Sequence, residues 1–161
     1  MHRYVLALLI VASPFSALAG ELPKEGNFDY TVCWSGAATN VITFSKTLSA
    51  TVWEDTGTLR SNPPGGLFDK NTFRCVGLTA SFDGKITNTR VCESIDADGD
   101  KRLTREELTA DGKDTQTRVA GTGKYEGFVT TRTVEQLGSF PAIKDGTFQG
   151  CNRATGTYKL K

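Results

Sequence analysis

The residues best able to do chemistry stand together from Asp96 to Leu108, DADGDKRLTREEL. Calcium needs several hard oxygens around one point. The carboxylates of Asp96, Asp98, Asp100 and Glu107, with the backbone carbonyl of Arg102, can supply them. The alternative for the same stretch is a β-hairpin turning at Asp98-Gly99, where aspartate is favoured because its side chain bonds nearby backbone groups. Glu93, Glu106 and Glu107 form an acid–base pair only if two strands aim them at each other. A two-residue turn at Asp98-Gly99 sets Glu93 opposite Thr104, so these acids are read as solvated charges interleaved with Arg90, Arg102 and Arg105. Trp34, Trp53 and Tyr125 are core side chains or the wall of a lipophilic pocket, and Trp34 and Tyr125 are taken as candidate ligand contacts.

The segment Met1 to Ala19 reads as a secretory signal peptide: Arg3, an apolar run from Tyr4 to Ala12, and the small-residue site Ala17-Leu18-Ala19. The run is too short to span a bilayer. Its removal leaves residues 20–161, the size of one domain, and takes away His2, the only histidine, so histidine catalysis and histidine–metal sites are not expected. It also takes Arg3, leaving the 18 remaining Lys and Arg balanced by 18 Asp and Glu. With the basic residues scattered, nucleic acid is not an expected partner. The product is expected to be exported to a periplasm or the extracellular space and not to be an integral membrane protein.

Elements able to position these residues are strands almost throughout. Phe28, Tyr30, Val32 and Trp34 alternate with polar neighbours, and β-rich runs follow at Val41 to Phe44, Leu48 to Glu54, Phe73 to Phe82, Ile86 to Ile95, Thr115 to Val119, Phe128 to Val134 and Thr157 to Leu160. Asp-Gly turns punctuate them. Thr104 to Ala110 is the one helical candidate, and Arg60 to Asp69, with its two prolines and two glycines, is a long loop that is either a surface excursion or a lid. Four cysteines on an exported chain imply two disulfides. With Asp83-Gly84 as a two-residue turn, Cys75 falls directly opposite Cys92 in a non-hydrogen-bonded pair, with Cα atoms about 4.5 Å apart. Cys33 and Cys151, in the first and last strand regions, are then neighbours if the sheet curls into a barrel.

The acidic stretch resembles the calcium loop of EF-hand proteins over its full length, with Asp96, Asp98 and Asp100 at the first, third and fifth positions and Glu107 at the twelfth. It departs at the sixth, where Lys101 replaces glycine, and in following a strand-like segment instead of a helix. Val119 to Phe128, VAGTGKYEGF, opens as GxG, but Gly127 comes one residue late for a dinucleotide fingerprint. Ala120 to Tyr125 resembles instead the glycine-rich turn of the allene oxide cyclase and dirigent-like β-barrels, and Gly156 to Leu160 is similar to their final strand. That resemblance implies a single antiparallel β-barrel; no catalytic residue of the family maps onto this chain.

The sequence thus implies an all-β barrel with two disulfides that binds a small apolar or amphipathic ligand. A calcium-binding structural module and a cofactor-free isomerase or cyclase are the alternatives. Calcium is the only cofactor suggested.

Overall fold

The computed structural model describes residues 23–161; the expected signal peptide lies outside them. Eight strands follow one another: β1 (Glu25–Thr43), β2 (Leu48–Ser61), β3 (Asn71–Phe82), β4 (Lys85–Ile95), β5 (Lys101–Leu108), β6 (Asp114–Gly121), β7 (Val129–Ser139) and β8 (Thr147–Lys159). They form one antiparallel sheet ordered β6-β5-β4-β3-β2-β1-β8-β7, curled into a half-barrel with β6 and β7 as its edges. The all-β expectation holds, and both disulfides form as expected. No helix of the described residues is long and apolar enough to cross a membrane.

The Asp83-Gly84 turn sets the register of the β3–β4 pair. Both residues have positive φ, 52° and 79°, as a type I′ turn requires. Phe82 therefore pairs with Lys85, and eleven consecutive pairs run without a bulge through Cys75↔Cys92. Cys33 and Cys151 are likewise directly opposed, on β1 and β8. Each disulfide has Cα atoms 4.1 Å apart. Because side chains alternate across the sheet, Cys75–Cys92 lies on the concave wall, whereas Cys33, between the inward-facing Val32 and Trp34, places its bridge on the convex face.

Four expectations need correction. Val41 to Phe44 is no separate strand: β1 absorbs Val41–Thr43 through a bulge between Ala38 and Asn40. Thr104 to Ala110 is not helical, since Thr104–Leu108 belongs to β5 and pairs on both sides; sheet pairing overrides the helix propensity of its Arg, Glu and Leu residues. The acidic hairpin turns on three residues, Ala97-Asp98-Gly99, with Gly99 at φ 90°, so Glu93 faces Leu103 and Thr104 faces Cys92. The loop after β2 is neither a plain surface excursion nor a lid. Its prolines and glycines are exposed, but Leu67 and Phe68 turn inward and plug one end of the curl.

Curvature has a visible cause on the concave face, where large aromatics lie across glycines of the neighbouring strand. Trp53 is directly opposite Gly77 and Trp34 opposite Gly150. A Cβ on Gly77 would stand 2.4 Å from the Trp53 ring, and one on Gly150 2.7 Å from the Trp34 ring. Phe73 over Gly57 and Phe28 over Gly156 repeat the arrangement. Glycine lets each ring fold flat against the backbone, so the sheet bends tightly without filling its own interior.

Candidate binding cavity

Inside the curl lies a cavity of about 430 Å³. Its floor rests on the aromatic plug: Phe68 packs against Phe28, Tyr30, Tyr125 and Phe128 with ring centroids 5.2–6.2 Å apart. Tyr30, Leu59, Ala154 and Arg102 form the boundary between plug and cavity. Above them one side of the wall is apolar, made by Val32, Trp34, Phe73 and the Cys75–Cys92 bridge, while Val134 stands next to Arg132 on the inward face of β7. The other side is charged.

That charged side is built by strand register. Arg90 on β4, Glu106 on β5 and Gln116 on β6 are directly opposed in one row, and Arg132 reaches the same carboxylate from β7 at 3.1 Å. Arg90 and Arg132 thus share Glu106, which is 6 % exposed. The Arg132 contact joins the strands on either side of the open seam by side chains where no backbone ladder does. Burial pushes the Glu106 carboxyl up, but the two guanidinium groups outweigh it and hold it below the usual carboxylate range. The expectation that Glu106 is a solvated charge is therefore corrected: reading β5 as a strand, with Arg102, Thr104 and Glu106 on one face, is what would have found it. Glu93 and Glu107 are half-exposed to exposed and pair with Lys101 and Arg105.

Asp55, also missed in the sequence, is buried on β2 at 4 % exposure, between Gly36 and Cys75 in the cross-strand rows. Its Oδ1 has no hydrogen-bond partner. Burial pushes its carboxyl up to about 6, with Arg90 pulling the other way.

The two motifs singled out in the sequence dock onto each other below this cavity. Asp96 accepts the backbone N–H groups of Asp98 and Asp100 at 2.9 and 3.0 Å. Lys124 spans Asp96, at 2.9 Å, and Asp98, while its own N–H donates to Asp100 at 3.1 Å. Lys101 N–H donates to Thr122 Oγ1 at 2.8 Å, and Thr122 N–H returns a bond to the Lys101 carbonyl. Gly123, at φ 50°, sits so close to Asp100 that a Cβ there would meet its carboxylate at 1.9 Å. Burial pushes Asp96 up, yet Lys124 brings it below its ordinary value. This clasp carries Tyr125, 1 % exposed, into the plug.

Of the expected metal ligands, then, Asp96, Asp98 and Asp100 share one turn with their carboxylates engaged by backbone and Lys124. Glu107 lies about 20 Å further along β5, at about 3.3 Å per residue. Arg102, whose backbone carbonyl is the expected ligand, lies within β5 between Ser94 and Gly121, and its side chain lies over Phe68, 4.2 Å from the ring centre. Among the described residues no group of three or more His, Cys, Asp and Glu is arranged to hold a metal ion. Of the expected ligand contacts, Trp34 lines the cavity; Tyr125 lies in the plug beneath it.

Neither a family model, nor a curated protein, nor a solved structure matches the chain.

Proposed function

We propose that this chain is an exported half-barrel protein that holds one small amphipathic molecule within its curl. The observation that carries the reading is the hollow between the plug and the open end, with an apolar wall facing a charged one. Small curled sheets whose inner positions are not filled by side chains commonly enclose a single guest. Two supporting features point the same way. Asn152 lies on the cavity wall with its Oδ1 buried and unpartnered, and the walls are braced by the Cys75–Cys92 bridge and the Arg90–Glu106–Arg132 network. Export agrees with the two disulfides, which persist in oxidising compartments. Kinship with allene oxide cyclase and dirigent-like barrels is part of the proposal: the Ala120 to Tyr125 segment precedes β7, and Gly156 to Leu160 covers the end of β8.

Native mass spectrometry of protein purified from its own host, followed by solvent extraction, tests the reading. A stoichiometric adduct that extraction removes is expected. Apo protein only, with no apolar or amphipathic compound binding on titration, would contradict it.

A further inference from the structure

Arg102 is the one guanidinium on the cavity floor that the fold leaves without an acid. Arg90 and Arg132 have Glu106; Arg102 has no carboxylate within 4.0 Å among the described residues. Its Nε donates to Ser94 Oγ at 3.1 Å, and its two Nη groups have no acceptor among the described residues. Its plane lies against Phe68 and Tyr125, 4.2 and 5.2 Å from the ring centres, which fixes its orientation without neutralising it. Arginine cannot escape by losing its proton, so a half-buried guanidinium lining the cavity takes an anion or water as its partner there. Beside it on the floor stands Tyr30, 7 % exposed, whose hydroxyl has no hydrogen-bond partner among the described residues. Both side chains line the cavity. Two donor groups without acceptors, at the bottom of a pocket with an apolar wall above them, define a seat for an oxyanion carrying an apolar tail.

We infer that the cavity takes an organic carboxylate head-down, its carboxylate on the Arg102 guanidinium and the Tyr30 hydroxyl and its apolar body against Val32, Trp34, Phe73 and Val134. This rests on the reading of the cavity as a binding site. Only the deep position satisfies the charge. The mouth offers Asp114 and Gln136, so an anion there would meet an acid.

Matched pairs of compounds differing only in the head group test it: decanoate against 1-decanol, and cinnamate against cinnamyl alcohol, each titrated into the full folded protein by calorimetry. Charge-assisted hydrogen bonds on the floor predict about tenfold tighter binding of each acid than its alcohol. Arg102→Met, which keeps an apolar stem over Phe68, should bring the acid down to the affinity of the alcohol and leave the alcohol unchanged. Tyr30→Phe should weaken the acid alone by a few-fold. Equal binding of acid and alcohol by the wild-type protein would overturn the anion seat while leaving the cavity a binding site. Retention of the preference in Arg102→Met would overturn the assignment to Arg102. Failure of all four compounds to bind would overturn the anion seat, and the mass spectrometric result decides separately whether the cavity holds any guest. The wild-type pairs stand as a test even if a variant fails to fold.

Discussion

The two ends of the half-barrel are made by the same strands with the same alternation, yet one is solid and the other hollow. At the solid end inward positions carry Phe28, Tyr30, Leu59 and Tyr158, and two excursions add Leu67, Phe68, Tyr125 and Phe128. At the hollow end the inward positions include Gly36, Gly57, Gly77, Gly150, Thr79 and Thr104, with the larger rings laid flat on glycine. What separates packing from cavity is therefore side-chain volume per inward position together with the Phe68 plug, not a change of fold. The solid end supplies a floor; the hollow end is left unfilled by its own side chains.

The contrast is broken most strongly by truncation. Phe128, 3 % exposed and packed on Phe68 and Tyr125, should cost about 3–5 kcal/mol when changed to alanine, the loss of a buried ring plus an unfilled hole. Val134→Ala should cost about 1 kcal/mol or less, because that side chain already borders empty space. Denaturant unfolding of the two variants compares them directly. Equal losses would mean that the hollow end is packed in solution.

Asp55 tests the electrostatic side of the hollow end. Its folded value near 6 lies above the ordinary 3.8, so ionisation is disfavoured in the fold. The resulting cost is absent below about pH 4, grows through pH 6 and is complete above it, at most about 3 kcal/mol for a shift of this size. Asp55→Asn should therefore be more stable than the wild type at pH 8, with the difference vanishing near pH 3.5. A difference independent of pH would contradict the burial argument.

Gly77→Ala should destabilise by about 1–3 kcal/mol, since the new methyl would overlap the Trp53 ring and the sheet would have to flatten to receive it. Thermal unfolding measures this, and a neutral result would remove the aromatic-on-glycine account of the curl. The smallest expected effect is that of calcium. With the acidic turn already occupied by Lys124 and backbone N–H groups, millimolar calcium should leave Tm unchanged. A stoichiometric calorimetric isotherm lost in Asp96→Ala would instead make the turn a metal site.

Legibility in the sequence followed the same division. The Asp83-Gly84 turn and strict alternation made the β3–β4 register and its disulfide readable, because two left-handed residues in a row admit one hairpin geometry. Trp34 was readable as an inward ring from the period-two pattern of β1. The buried charge network was not, because β5 carries charged and helix-favouring residues whose strand character comes from its partners on both sides. The plug was hidden for a different reason: Leu67-Phe68 is an apolar pair inside a proline–glycine loop, and only the folded position of the loop shows that the pair points inward. Nothing in the sequence links the acidic turn to the glycine turn, yet each is the other's binding partner. Pairing between segments more than twenty residues apart leaves no local signature.

The central claim, a guest in the hollow end, is tested most directly by tryptophan fluorescence read through single substitutions. Trp34 lines the cavity, whereas Trp53 is buried against Phe148 outside its lining. Titration of the wild-type protein with decanoate should shift or quench the emission. The response should persist in Trp53→Phe and disappear in Trp34→Phe. A response that survives in Trp34→Phe would contradict the placement of a guest in this cavity.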